Sequence, residues 1–315
     1  MRMILTAAFT ALLAEGAMPP LRVSIVSHNE ESTRRTSGYL ENQSYYLSNR
    51  EMVRQLALII KAKGATWNFQ SDWTFLQAVA RYDTASVTAT TNGKNIVRWL
   101  VEDLGFEVDP HAHESRYNYA DVAYLHEQLG VTPSRLVGGF LFSPADNPQG
   151  WEHHENGIFG RMYPAYFWRA DILWGAATAL HQGADDETYG IWHPKDKNNF
   201  SVNDNARRLV HIGGGCKSSF STGDLYGIDT YLAALAGGRL SQDGFYTATI
   251  MINQGSMTAQ TIQTVSRELD RLAPSVAAGA IRYQSLGGVV REWTAAFGAR
   301  AFQMTCEEME AAAGR

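Results

Sequence analysis

Along most of this chain, short strand-like runs alternate with helix-like segments, about seven or eight times over. That rhythm restricts the fold severely. Consecutive parallel strands need a long crossover between them, and a helix is the usual one. Leu21 to Ser27 alternates and is β-branched. Ala65 to Gln70, Phe106 to Asp109, Arg135 to Phe142, Leu209 to Gly213, Phe245 to Ile252 and Ile281 to Tyr283 read as further strands, with Ile172 to Ala176 a weaker one. Between them, Tyr45 to Lys63 carries Met52, Leu56, Ile59 and Ile60 at helical spacing and stops at Gly64. Phe75 to Tyr82, a helix capped by Asn92 and running to Leu104, Tyr119 to Leu129, Leu225 to Ala236, Ile262 to Leu272 and Gly288 to Phe297 complete the pattern. With 315 residues, 45% of them hydrophobic, the chain fits an α/β fold of one domain, a TIM-like (β/α)7-8 barrel over residues 18–315. No repeat or linker divides it.

The 27 basic and 32 acidic side chains are interspersed and give a net charge of -5, so no basic block invites nucleic acid. Cys216 and Cys306 lie far apart, form no CxxC motif, and are compatible with one long-range disulfide or with two thiols. Residues 1–17 run from Arg2 through an apolar stretch to small residues, the order of a short secretory signal, although Glu15 departs from the ideal cleavage site. The other reading is an N-terminal helix packed on the barrel. The first predicts a secreted or periplasmic protein and the second a cytoplasmic one. No other segment is long and apolar enough to span a bilayer. A dinucleotide fingerprint, a Walker motif and a Gly-x-Ser-x-Gly elbow are missing, and Gly213-Gly214-Gly215 reads as a tight turn before an anion cradle.

The chemistry-bearing residues sit at strand ends. His111 and His113 are two apart, and in extended chain such residues point to one side. His28 and Glu30 repeat that spacing after the first strand. In a barrel both ends open on the same C-terminal face. Each pair alone reads as ordinary loop polarity, but two pairs at equivalent places point to a divalent ion held by His28, Glu30, His111 and His113, with zinc expected and nickel, cobalt or iron suited to the same donors. His28 has an alternative role in orienting a carboxylate or touching substrate. Asp72, ending the second strand, is the candidate general base, and Glu114 its rival. Capping a helix is the bland alternative for Asp72. Asp109 lies deeper on the same face as His111. Trp73, Trp151, His153, His154, Trp192 and His193, with Asp185 and Asp186, have the make-up of a sugar-binding wall. Trp67, Trp99, Trp168 and Trp174 read as packing, His211 as core and His126 as surface.

Together, Val23 to Glu30, Asp109-Pro110-His111-Ala112-His113-Glu114 and Ala280 to Leu286 with the helix to Trp293 resemble the glycoside hydrolase/deacetylase barrel superfamily, and within it the polysaccharide deacetylases. The resemblance implies a metal-dependent hydrolase that removes acetyl groups from an acetylated poly- or oligosaccharide. Deacetylases usually carry an Asp-Asp pair where this chain has His28-Asn29-Glu30, and separate by three residues the histidines that only Ala112 separates here. The barrel and a sugar-related substrate therefore follow more firmly than deacetylation. A glycosidase using two carboxylates, Asp72 with Asp185 or Asp186, and a sugar-binding barrel without catalysis are the alternatives.

Overall fold

A computed structural model of the chain describes residues 19–29, 38–112, 116–138, 150–175 and 187–315. The expectations for Glu30, His113, Glu114, Asp185, Asp186 and the N-terminal segment fall outside these residues.

Strand β1 (Leu21–Asn29) leads through helix α1 (Gln43–Ala62) to β2 (Trp67–Ser71). Helices α2 (Trp73–Tyr82), α3 (Ala85–Thr88) and α4 (Ile96–Glu102) lead to β3 (Glu107–Pro110), and α5 (Tyr119–Gln128) to β4 (Leu136–Gly138). Helix α6 (Gly150–Asn156) and a ribbon of β5 (Ile158–Phe159) and β6 (Phe167–Trp168) precede β7 (Ile172–Trp174), β8 (Thr188–Trp192) and β9 (Val210–Ile212). The chain ends with α7 (Tyr226–Ala236), β10 (Thr247–Asn253), α8 (Ala259–Ala277), β11 (Ile281–Tyr283), α9 (Leu286–Phe297), β12 (Phe302–Thr305) and α10 (Cys306–Ala313). The expected helix from Asn92 starts later. Asn92 adopts a left-handed conformation (φ 55°), and Asn95 caps α4 by accepting from Arg98 N at 2.9 Å.

The architecture is mixed α/β. One sheet has the order β10-β1-β2-β3, with β11 also paired to β1, all parallel. The other has the order β12-β8-β9-β7-β4, in which β8 runs antiparallel to both β9 and β12. Strand pairing among the described residues leaves two five-stranded sheets, besides the β5–β6 ribbon, and no closed barrel. The sheets approach at a parallel bridge between His111 and Gly138. On the other side, the chain after β9 hydrogen-bonds to β10, Thr249 N donating to Gly214 O (2.8 Å) and Met251 N to Ser218 O (3.0 Å).

Because side chains alternate along a strand, each strand feeds two cores. Val23, Ile25, Trp67, Phe69 and Val108 pack beneath helices, against residues such as Leu56 and Ile60. Val26, Leu136, Ile172, Trp174, Val210 and Ile212 face the other way, into a core that Leu286, Val289 and Trp293 of α9 complete. The start of α9 is held by inward polar residues of β2 and β3. Leu286 N donates to Asn68 Oδ1 (2.9 Å), and Gly287 N and Ser285 Oγ donate to the Glu107 carboxylate (2.9 and 2.7 Å). A carboxylate is favourable at a helix N-terminus.

The glycine run after β9 is a close backbone crossing. Gly213 N and Gly215 N donate to the carbonyls of Gly190 and Thr188, and a Cβ at Gly213 would lie 1.8 Å from Thr188 O. The two cysteines form a disulfide, Cys216–Cys306, with Cα atoms 5.1 Å apart and a sequence separation of 90. It ties this crossing to the start of α10. Replacing both cysteines by serine is expected to lower stability by about 3 kcal/mol and the melting temperature by about 5–10 °C. A calorimetric scan with an unchanged melting temperature would show that the C-terminal unit is held by its packing on α7 and β8 alone.

Candidate active site

The inward positions at the C-terminal ends of β1, β2, β3, β4 and β7 bring together His28, Gln70, His111, Gly138 and Trp174. Parallel register sets His28 beside Gln70 and Gly138 beside Trp174. The imidazoles of His28 and His111 stack with centroids 4.3 Å apart, and Trp174 meets His28 edge to face at 5.4 Å. Both histidines are buried, 7% and 1% exposed. His111 Nδ1 lies 2.7 Å from Gly138 O. A carbonyl only accepts, so His111 donates from Nδ1, which fixes the plane of the ring. A Cβ at Gly138 would fall 2.0 Å from Gln70 Oε1 and so displace that amide.

Below this pair lies Asp109, fully buried. Asn68 Nδ2 and Gln70 Nε2 donate to its Oδ2 (2.9 and 3.1 Å), and Ser134 Oγ donates to Oδ1. Burial, followed by the charge of Glu107, pushes its carboxyl up to about 7, against the pull of those three donors. Asp109 thus braces Gln70, which packs on Gly138, whose carbonyl fixes His111.

The other expected site residues divide. Asp72 is buried and caps α2. Its Oδ1 accepts from Thr74 N (3.1 Å), Thr74 Oγ1 (2.7 Å) and Phe75 N (3.2 Å). Trp73 follows at the same strand end and stacks on Tyr117 (4.4 Å, 15° between planes). Trp151, 7% exposed, meets Phe200 edge-on. Trp192 is not a groove residue. It is completely buried, donates from Nε1 to Phe200 O (2.7 Å) and packs on His211. His193 is half-buried against Trp293 and interacts through Nδ1 with Leu209 O (2.9 Å). Both lie at the wrong end, because β8 runs antiparallel to β9 and delivers residues 192–193 to the start of that strand. His126 is buried, not on the surface; its Nδ1 donates to Val122 O, and burial holds its pKa down at about 4. His154 is buried too, at about 3 for the same reason. Of the residues of the cluster, Gln70 is not singled out by the sequence, and Trp174, read there as packing, is indeed part of a core while also meeting His28. The available signal was position, each being an inward residue at the end of a parallel strand.

No family model matches the chain, and no curated protein matches it. Among solved structures it is similar to the 4-α-glucanotransferase of Thermococcus litoralis, with 9% identity and a TM-score of 0.50 over 92% of this chain. It is also similar to a GH57 branching enzyme of Thermococcus kodakaraensis, with 9% identity and a TM-score of 0.45 over 87% of this chain and 71% of that one. The likeness is one of fold. The chain spans 42% of the glucanotransferase's length. The histidine–tryptophan cluster occupies the strand ends at which α/β folds of this kind place ligands.

As a metal centre, the described part of the cluster offers two donors, stacked face to face. Among the described residues, the one group of three or more metal-binding side chains close enough to share an ion is Cys216, Cys306 and Glu310, and its two sulfurs are bonded to each other. No helix among the described residues is long and apolar enough to cross a membrane.

Proposed function

We propose that the protein is a carbohydrate-active enzyme that cleaves or transfers a glycosidic bond at the strand ends carrying His28, His111 and Trp174. The observation that carries this reading is the buried stack of two imidazoles with a tryptophan edge, at the inward C-terminal ends of parallel strands, in a fold similar to that of a 4-α-glucanotransferase. The strand order supports a distorted (β/α) barrel. Such sites bind sugar hydroxyls through imidazole and amide groups and sugar faces through aromatic rings. The cluster supplies the His111 imidazole and the Gln70 amide, with Trp174 packed edge-on against His28. Glycosidic chemistry also needs two carboxylates flanking the bond. We assign them to two of the acids Glu30, Glu114, Asp185 and Asp186, which adjoin these strands in sequence, with Asp72 as a positioning residue, since its Oδ1 already anchors α2. The disulfide supports a secreted or periplasmic location.

A second reading has one observation in its favour. The carbonyl that fixes His111 by its Nδ1 is the kind of partner that orients metal-binding histidines. On that reading Glu30 and His113 would join His28 and His111 around an ion, whose chemistry is to activate water for deacetylation. The likeness to a glucanotransferase favours the first reading.

The deciding experiment incubates the protein with malto-oligosaccharides and, separately, with acetylated chito-oligosaccharides, with and without a chelator. Glycosidic products insensitive to the chelator are expected. Changing each of these four acids to its amide should reduce them at least about 100-fold in two cases, and His111→Ala by a similar factor. Acetate release that the chelator abolishes, with no glycosidic product, would replace this reading by the second.

A further inference from the structure

A concave site lies at the opposite end of the strands from the histidine cluster. A cavity of about 480 Å³ opens where β3, β4, β7 and β9 begin, against one side of α9. Its inner wall is apolar: Phe106, Val108, Ile172 and Val210 are each less than a tenth exposed. Its charged residues are Arg135, Arg208 and Arg291 with Glu107 and Asp171, three cations to two anions.

The two carboxylates are already engaged. Glu107 accepts from Ser285 Oγ and Gly287 N, and Asp171 bonds Arg135 Nε and Arg208 Nη1, both at 2.6 Å. Arg208 is a fixed strut, donating also to the carbonyls of Ala170, His154 and Glu155. The other two guanidiniums differ. Arg135 is half exposed and donates only Nε to Asp171, and Arg291, 74% exposed, reaches Glu107 only through Nη2 at 3.4 Å. Their remaining N–H groups have no protein acceptor among the described residues.

We propose that this cavity binds a small amphiphilic monoanion, a carboxylate or similar oxyanion bearing a ring or a short alkyl chain. The apolar body lies against Phe106, Val108, Ile172 and Val210, and the oxygens meet Arg135 and Arg291. A guanidinium pairs an oxyanion with two parallel hydrogen bonds, which an ammonium cannot do. The volume is that of a small-molecule site. A sugar would leave hydroxyls unpaired against the apolar wall, and a neutral hydrocarbon would forgo the excess positive charge at the mouth. The site is separate from the His28–His111 cluster and does not depend on the function proposed there.

The test titrates the full chain with 1-anilinonaphthalene-8-sulfonate, an aromatic anion that fluoresces on burial, and then displaces it with hexanoate or hexanol. Saturable binding of one dye per chain is expected, with hexanoate displacing it at concentrations at least about tenfold lower than hexanol. Arg291→Gln, at an exposed position, should weaken dye binding several-fold, and Arg135→Gln with Arg291→Gln at least about tenfold. Val290→Phe, which fills the cavity from α9, should abolish it while leaving the melting temperature unchanged. Dye binding that is not saturable, or that is the same in all these variants, overturns the proposal, and so does equal displacement by hexanol.

Discussion

Replacing Asp121 with alanine is expected to cost about 4 kcal/mol of stability. Its side chain is completely buried and accepts four backbone N–H groups, from Asn118 (2.9 Å), Arg161 (3.0 Å), Met162 (2.9 Å) and Tyr163 (3.0 Å). Asp121 is also the third residue of α5, in a reciprocal cap with Asn118, whose side chain accepts from Asp121 N at 3.1 Å. One carboxylate therefore fixes both the start of α5 and the turn that joins β5 to β6. Alanine strands all four donors, and the turn lies partly in solvent, so water recovers some of the loss. Asp121→Asn keeps an acceptor but loses the charge, and about half the effect is expected. Urea unfolding followed by tryptophan fluorescence measures both. A loss of less than about 1 kcal/mol for the alanine variant would mean that the turn finds other acceptors. The consequence extends to the site, because the turn carries Tyr163, which packs on Tyr117, the ring beneath Trp73.

Nothing in the sequence around Asp121 announces that role. Asn118 followed three residues later by an acid is a readable cap, but the partners at 161–163 are forty residues away. The same division runs through the whole fold. Strands β1, β2, β3 and β10 were legible because each is bounded by turn residues and rich in apolar or β-branched side chains. The convergence of His28 and His111 followed from their positions at the ends of parallel strands, and the structure stacks them. Strand β8 was not legible. Thr188 to Trp192 reads equally as an aromatic wall, and only pairing with β9 and β12 makes it a strand, an antiparallel one that breaks the expected rhythm. Strand β12 and α10 lie beyond the last expected helix and are joined to the rest by a disulfide that spacing alone could not assign. His126, a polar residue on a helix, reads as surface, yet it is buried with its Nδ1 donating to a backbone carbonyl one turn earlier. Gln70 escaped notice because an amide in a strand carries no motif; its importance comes from what Gly138 allows it to touch.

The pH dependence of stability should change sign of slope locally around Asp109, and Asp109→Asn should expose it. The folded-state carboxyl titrates at about 7, far above the ordinary value of 3.8, because burial and the neighbouring Glu107 disfavour its charge. Between those two values the folded chain binds a proton that the unfolded chain has released. Stability from this group is therefore complete below about pH 4 and is lost as pH rises through 7, the opposite of a salt-bridged carboxylate. The full loss corresponds to about 4 kcal/mol. Asparagine preserves the shape, keeps an oxygen for the Asn68 and Gln70 amides, and turns an N–H toward Ser134 Oγ. The variant should be close to the parent at pH 4.5 and more stable by about 2–4 kcal/mol at pH 8.5. Subtracting the two urea titration series removes every other group that titrates equally in both chains. A difference that stays flat with pH would show that Asp109 is ionised throughout, held by its three donors against burial. A difference that rises with pH would show that the fold keeps, at some cost in stability, the carboxyl that braces Gln70 and, through Gly138, lies behind His111.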